Sequence, residues 1–186
     1  MTPSGVARLL LVCHASTPAT ARAAFPGDEP LDGNGLRRAG AMAPLTLPGR
    51  AVRAAELRCA QTAEALGLPA EPEPLLADCD YGRWSGRTLA EVEAAEPEAL
   101  ATWLTDPAAA PHGGESIVAL LGRVAGWLAG LEPGRTVAVT HAAVIRAAVV
   151  HTLGAPAQSF WRVDVAPLAR VTLTGRGGRW RLSHPA

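Results

Sequence analysis

LLLVCHAST, residues 9–17, is an apolar run that stops on a cysteine, a histidine and three small residues. Leu9 to Val12 show no alternation of apolar and polar side chains, so the strand they imply, residues 7–13 (ARLLLVC), is covered on both faces. Strands of that kind belong to parallel sheets. The pattern returns in RTVAVT, residues 135–140, again followed at once by a histidine, His141. Two buried strands therefore each deliver a histidine at the carboxyl end, the edge of a parallel sheet where ligands bind.

Working outward from these strands, the chain alternates between the two kinds of element. After His14 comes a long irregular stretch rich in Pro, Gly and Asp (residues 14–35), of a length more often functional than idle. A helix is expected over 35–43, halted by Pro44. A strand is expected over 51–57, and a helix over 58–66 (RCAQTAEAL) capped by Gly67. A short strand near 74–77 leads into the loop DCDYGRWSG. Helices follow at 88–95 and 97–104, the second opened by Pro97, then a longer one over 116–131 with apolar spacing at Ile117, Leu120, Leu121, Val124, Trp127 and Leu128. HAAVIRAAVVHTL is a helix, and the tail from Phe160 carries two or three strands around a turn at Gly175–Gly178. The expected fold is α/β, a three-layer sandwich with a mostly parallel central sheet, and residues 1–186 are expected to form one domain.

Composition narrows the function classes. Apolar residues make up 48% of the chain and charged ones 18%, which describes a folded domain and not a disordered tail. No apolar stretch reaches the ~20 residues needed to cross a bilayer, and the N-terminus lacks a signal pattern, so we expect a cytoplasmic protein. The formal net charge is zero, which gives no general attraction to nucleic acid or membrane. Every one of the 17 basic residues is an arginine, so an anion pocket must be built from Arg, His and backbone N–H groups. The three cysteines, Cys13, Cys59 and Cys79, have no CxxC spacing and suit a reducing compartment. Nothing in the sequence sets an oligomeric state.

His14 and His141 meet if their strands are neighbours, and Arg58, at the start of its helix, is placed to join them. The helix starts at Arg58 and at Ala142 add N–H groups and a positive dipole end. Two imidazoles, a guanidinium and backbone donors suit a tetrahedral dianion such as phosphate. One histidine can then attack phosphorus while a carboxylic acid protonates the leaving oxygen, a scheme that needs no metal or cofactor.

These residues carry a resemblance. In order along the chain, CHAST, RCAQT, DCDYGRWSG and VTHAAVIR resemble the motifs of the histidine phosphatase superfamily, the phosphoglycerate mutase-like proteins, and PHGGES fits the Gly-Glu-Ser turn before a long helix. The resemblance runs from about residue 7 to about 152. It implies a phosphoglycerate mutase-like fold and a phosphomonoester hydrolase acting on a small phosphorylated substrate. His14 is then the phosphorylated nucleophile, Arg58 and His141 hold the phosphoryl group, and Asp78 is the proton donor.

The chain departs from the pattern where it matters. The family's first arginine is Cys13 here, the glycine after the histidine is Ala15, and the asparagine six places on is Thr20. A lost charge-assisted hydrogen bond is worth roughly 1.5–3 kcal/mol, one or two orders of magnitude in rate. Arg22 is the first candidate to fill the gap, with Arg83 and Arg87 behind it. The alternative reading is a catalytically impaired relative that binds phosphorylated ligands or a partner protein, and a thiol- or zinc-based enzyme stands third. Glu115 reads as a helix N-terminal residue, Arg146 as a salt-bridge partner, Trp84 as an edge of the pocket, Trp103 and Trp127 as core, and His112, His151 and His184 as surface or structural positions.

Overall fold

The computed structural model describes residues 5–45 and 49–183. Six strands, β1 (Ala7–Cys13), β2 (Arg50–Arg53), β3 (Glu71–Pro72), β4 (Gly134–Thr140), β5 (Arg170–Arg176) and β6 (Arg179–Ser183), form one sheet in the order β3-β2-β4-β1-β5-β6. The first four run parallel, and β5 and β6 close the far side as an antiparallel hairpin. The helices are α1 (Pro18–Ala21), α2 (Gly33–Ala41), α3 (Leu57–Ala65), α4 (Leu89–Ala95), α5 (Pro97–Thr105), α6 (Ile117–Ala129) and α7 (Ala142–Leu153). The helices connecting the strands pack in pairs, α2 with α3 and α6 with α7. The α/β sandwich expected from the sequence is what forms.

β1 and β4 are the neighbours that their shared ending required. Their register pairs Cys13 with Thr140, and the His14 N–H donates to the Thr140 carbonyl at 2.8 Å. The chain leaving β1 travels to one face and the chain leaving β4 to the other, so a crevice opens between their carboxyl ends, the switch point of the sheet. Behind it Leu9, Leu11, Val12, Ala138 and Val139 of the two strands pack against Ile117, Leu120, Val124 and Leu128 of α6 and Val144, Ile145 and Ala148 of α7. α7 is apolar nearly all round, as a helix buried between a sheet and a second helix must be.

Four details differ from the sequence-based expectation. β2 ends at Arg53 and not near residue 57, because the Ala54 N–H makes the last bond to Val139 and the chain then turns into α3. Residues 74–76 form a 3₁₀ turn instead of a strand. Pro74 has no N–H to give a ladder, and Glu73 Oε1 accepts from the Leu75 N–H at 3.3 Å. The neighbouring strand is the two-residue edge at Glu71–Pro72, where a proline is tolerated. α2 starts two residues early because Asp32 caps it, accepting from the Gly35 N–H at 2.6 Å. The irregular stretch also holds α1, opened by Pro18 and by a reciprocal cap between Thr17 and Thr20.

Candidate active site

The wiring of His14 follows from one bond. Its Nδ1 lies 2.8 Å from the Ala15 carbonyl, which can only accept, so Nδ1 carries the proton and Nε2 keeps its lone pair. The Ala15 N–H is held in turn by Thr62 Oγ1 at 3.0 Å, and that hydroxyl donates to the Arg58 carbonyl at 2.7 Å, which ties the nucleophile turn to α3. Burial, and then the neighbouring His141, push the His14 imidazole down to about 4. His14 is therefore a neutral base near pH 7.

His141 is wired the other way. It stands at the N-cap of α7 without capping it, 5.2 Å from His14 between ring centroids. Arg58, almost fully buried, donates from Nε to His141 Nδ1 at 3.2 Å. The same guanidinium donates to Asp78 Oδ2 at 2.8 Å and to the Gly27 carbonyl. Burial is the largest single influence and opposes its charge, but its neighbours together, Asp78 foremost, hold the guanidinium above its ordinary value. Since Nδ1 accepts, the His141 proton belongs on Nε2, which lies 3.3 Å from Glu56 Oε2 without a well-formed hydrogen bond. Burial works against the Glu56 charge, yet contact with His141 holds that carboxyl down at about 2.

Asp78 is gripped on every side. Its Oδ1 accepts from the Cys79 N–H at 2.9 Å and its own N–H donates to Glu56 Oε1 at 2.9 Å. Arg123 of α6 donates to the carbonyls of Leu75, Ala77 and Asp78 at 2.8, 2.9 and 3.2 Å, while Glu115 clamps it with two bonds of 2.9 and 2.7 Å. Glu115 thus braces the acid loop, and it is Ser116 that caps α6, a correction to the sequence reading. Beyond Asp78, a side chain on Gly82 or Gly114 would strike the backbone of the other loop, so the two glycines let these loops lie against each other.

A cavity of about 150 Å³ opens over this cluster, lined by Cys13, His14, Thr17, Thr20, Asp78, Tyr81, Ala142, Ala143 and Arg146 among others. Of the residues expected at the site, His14, Asp78, Cys13, Thr20 and Ala142 face it, with Arg58 and His141 directly behind. Arg22 and Arg83 are not brought in. Arg22 is exposed and its Nε reaches only the Pro18 carbonyl of its own turn at 3.4 Å, and Arg83 pairs with Glu96, as does Arg87. Trp84 is fully buried with Phe25 and Trp103 and does not edge the cavity; Tyr81 does. Trp127 is core, His112 is buried and structural, accepting from the Gly114 N–H at 3.0 Å, His151 is exposed, and His184 lies outside the described residues. The sequence reading passed over Glu56 and set Arg146 aside.

The thiols do not behave as nucleophiles. Burial pushes the Cys13 thiol up to about 12, and Cys59 and Cys79 are pushed up by the same cause. For the zinc reading, His141 and Asp78 do converge, but the Arg58 cation sits between them. Among the described residues no three His, Cys, Asp or Glu side chains are arranged to hold a metal ion.

Known proteins are similar to this chain in sequence and in fold. A glucosyl-3-phosphoglycerate phosphatase of Mycolicibacterium vanbaalenii is 29% identical over 175 residues, 83% of this chain and 78% of that protein. A phosphoserine phosphatase 1 of Hydrogenobacter thermophilus is 31% identical over 110 residues, 56% of this chain and 52% of that protein, so the match spans about half of that relative. The solved structure of a mycobacterial glucosyl-3-phosphoglycerate phosphatase in complex with VO3 superposes with a TM-score of 0.82 at 29% identity, covering 95% of this chain and 96% of that one. Residues 9–186 match the histidine phosphatase superfamily, branch 1, and the chain belongs to that family.

Proposed function

We propose that this chain, as one domain, is a cytoplasmic phosphomonoester hydrolase working through a phosphohistidine on His14. The observation that carries the reading is the Nδ1 bond to the Ala15 carbonyl, which leaves a neutral imidazole with its Nε2 lone pair beside an anion-sized cavity. Nε2 attacks phosphorus and the P–O bond to the alcohol breaks. Asp78, a carboxylate paired with Arg58 in the free protein, takes the proton carried in by the phosphate monoanion and passes it to the departing oxygen. Water then attacks the phosphohistidine, gives its proton to the Asp78 carboxylate, and the P–N bond breaks to return neutral His14 and phosphate. The uncapped N-terminus of α7, at Ala142 and Ala143, supplies N–H groups and a positive dipole end to the phosphoryl oxygens. Three free cysteines fit a reducing compartment, and among the described residues no helix is long and apolar enough to cross a membrane.

Family membership and two phosphatase relatives favour turnover over the impaired reading. The far wall of the cavity, with Ala19, Ala24, Pro26, Val165 and Pro167, accepts a small organic group. Phosphoserine and glucosyl-3-phosphoglycerate, named for the relatives, are the first substrates to try. The test is hydrolysis of p-nitrophenyl phosphate by wild type and His14→Ala, with quenching in alkaline detergent to trap a phosphoenzyme and acid treatment afterwards to show that it is acid-labile. Turnover in wild type that vanishes with His14 supports the reading, and turnover that survives the substitution sinks it.

A further inference from the structure

Arg58 is already heavily engaged behind the cavity. Its Nε, Nη1 and Nη2 already donate to His141, Gly27 and Asp78, and its side chain is 2% exposed. Arg146 is in the opposite state. It lies in the middle of α7, in a run from Ala143 to Val150 whose other members are all buried and apolar. A half-buried cation in such a helix costs stability unless its donors are satisfied. Its Nε donates to the Val163 carbonyl at 2.8 Å, and its guanidinium carbon sits 5.7 Å from the centre of the Phe160 ring. Among the described residues no carboxylate lies within 4.0 Å of it, and its two terminal nitrogens have no hydrogen-bond partner.

That guanidinium lines the same cavity as His14 and Asp78. Ala142, Ala143 and Arg146 are three and four residues apart, hence on one face of α7, and all three line it. We propose that Arg146 grips the transferred phosphoryl group, supplying from the helix after the second histidine the guanidinium that Cys13 does not supply from the end of β1. Cys13, at the end of β1, and Arg146 line the same cavity. The fixed Nε leaves the planar fork pre-aimed, and a fork suits two oxygens of a tetrahedral dianion.

This inference rests on the phosphatase reading but is tested apart from it. Titrate inorganic phosphate calorimetrically into wild type, Arg146→Met, Arg146→Gln and Arg22→Met, with a thermal melt of each, and measure p-nitrophenyl phosphate kinetics alongside. Methionine keeps the stem packed near Phe160, and glutamine is the second variant should methionine not fold. We expect phosphate affinity to fall by about tenfold to a hundredfold in the folded Arg146 variants, with kcat/KM falling in step, and to hold in Arg22→Met. Phosphate binding that is unchanged without Arg146, lost equally without Arg22, or absent from wild type overturns the inference. A protein that hydrolyses nothing but loses phosphate with Arg146 keeps the inference and drops the hydrolase. One that hydrolyses and binds phosphate equally well without Arg146 does the reverse.

Discussion

His14 and His141 occupy equivalent places, each one residue past the end of adjacent parallel strands, but their surroundings assign them different chemistry. His14 touches a carbonyl through Nδ1, has no carboxylate partner among the described residues and lines the cavity. His141 receives a hydrogen bond from Arg58 on Nδ1, has Glu56 and the Cys59 sulfur at 3.3 and 3.5 Å from Nε2, and sits behind the cavity wall. The ring that only touches backbone is free to form a bond to phosphorus. The ring embedded among charges sets the field around it. The second contact of an imidazole decides its role, more than its place on the strand.

The largest test removes each ring in turn. His14→Ala is expected to cost at least about 10⁴ in kcat and to abolish the acid-labile phosphoenzyme, whereas His141→Ala still forms that species slowly. The reverse result, read by alkaline detergent quench, breaks the comparison. Next comes Arg58→Met, which strands the half-buried Asp78 carboxylate and leaves His141 Nδ1 without its donor. We expect a loss of about 3–5 kcal/mol in urea denaturation, since breaking one side of a buried pair leaves the other unpaired. A loss under about 1 kcal/mol would mean that His141 does not depend on that field.

Asp78→Asn sharpens the division of labour. The expected loss is about a hundredfold on an alkyl phosphate and distinctly less on p-nitrophenyl phosphate, whose leaving group needs little protonation. Equal losses on both substrates count against Asp78 as the acid. The smallest effect is on stability against pH. Folded His14 binds its proton near 4 while the unfolded residue binds near 6.5, so stability is lost as pH falls between those values. Wild type at pH 5 should be about 2 kcal/mol less stable from this residue than at pH 7, and His14→Gln should lack that component. A melt series with the same slope in both proteins contradicts a neutral buried His14.

Much of this was legible from residue order. LLLVCH and VAVTH specify strands by unbroken apolar runs, and the histidine after each marks the sheet edge where the crevice opens. The capped starts of α4 at Thr88 and α6 at Ser116 are also readable, because side chain and backbone lie within a turn of each other. What escaped depends on rotation and long contacts. Arg146 shares a helix face with Ala142 and Ala143, a signal present in the spacing, but the absence of an acidic partner is a tertiary fact. Arg123 reaches carbonyls 45 to 48 residues away, which no local pattern announces. Arg22 was attractive because it is near His14 in sequence, yet the turn of α1 points it toward solvent. The strand expected at 74–77 failed on Pro74, whose missing N–H outweighed the apolar pair after it.

The brace of Arg123 and Glu115 also separates two kinds of evolutionary freedom. It fixes the backbone from Leu75 to Asp78 from α6, while the Ala15 turn is fixed from α3. Neither tie passes through Ala19, Ala24, Pro26, Val165 or Pro167, which also line the cavity. A lineage can therefore exchange those five positions to admit a bulkier or more polar alcohol while the phosphorus chemistry stays in register. Substrate range is the adaptable half of this protein, and the braced half carries the phosphorus chemistry.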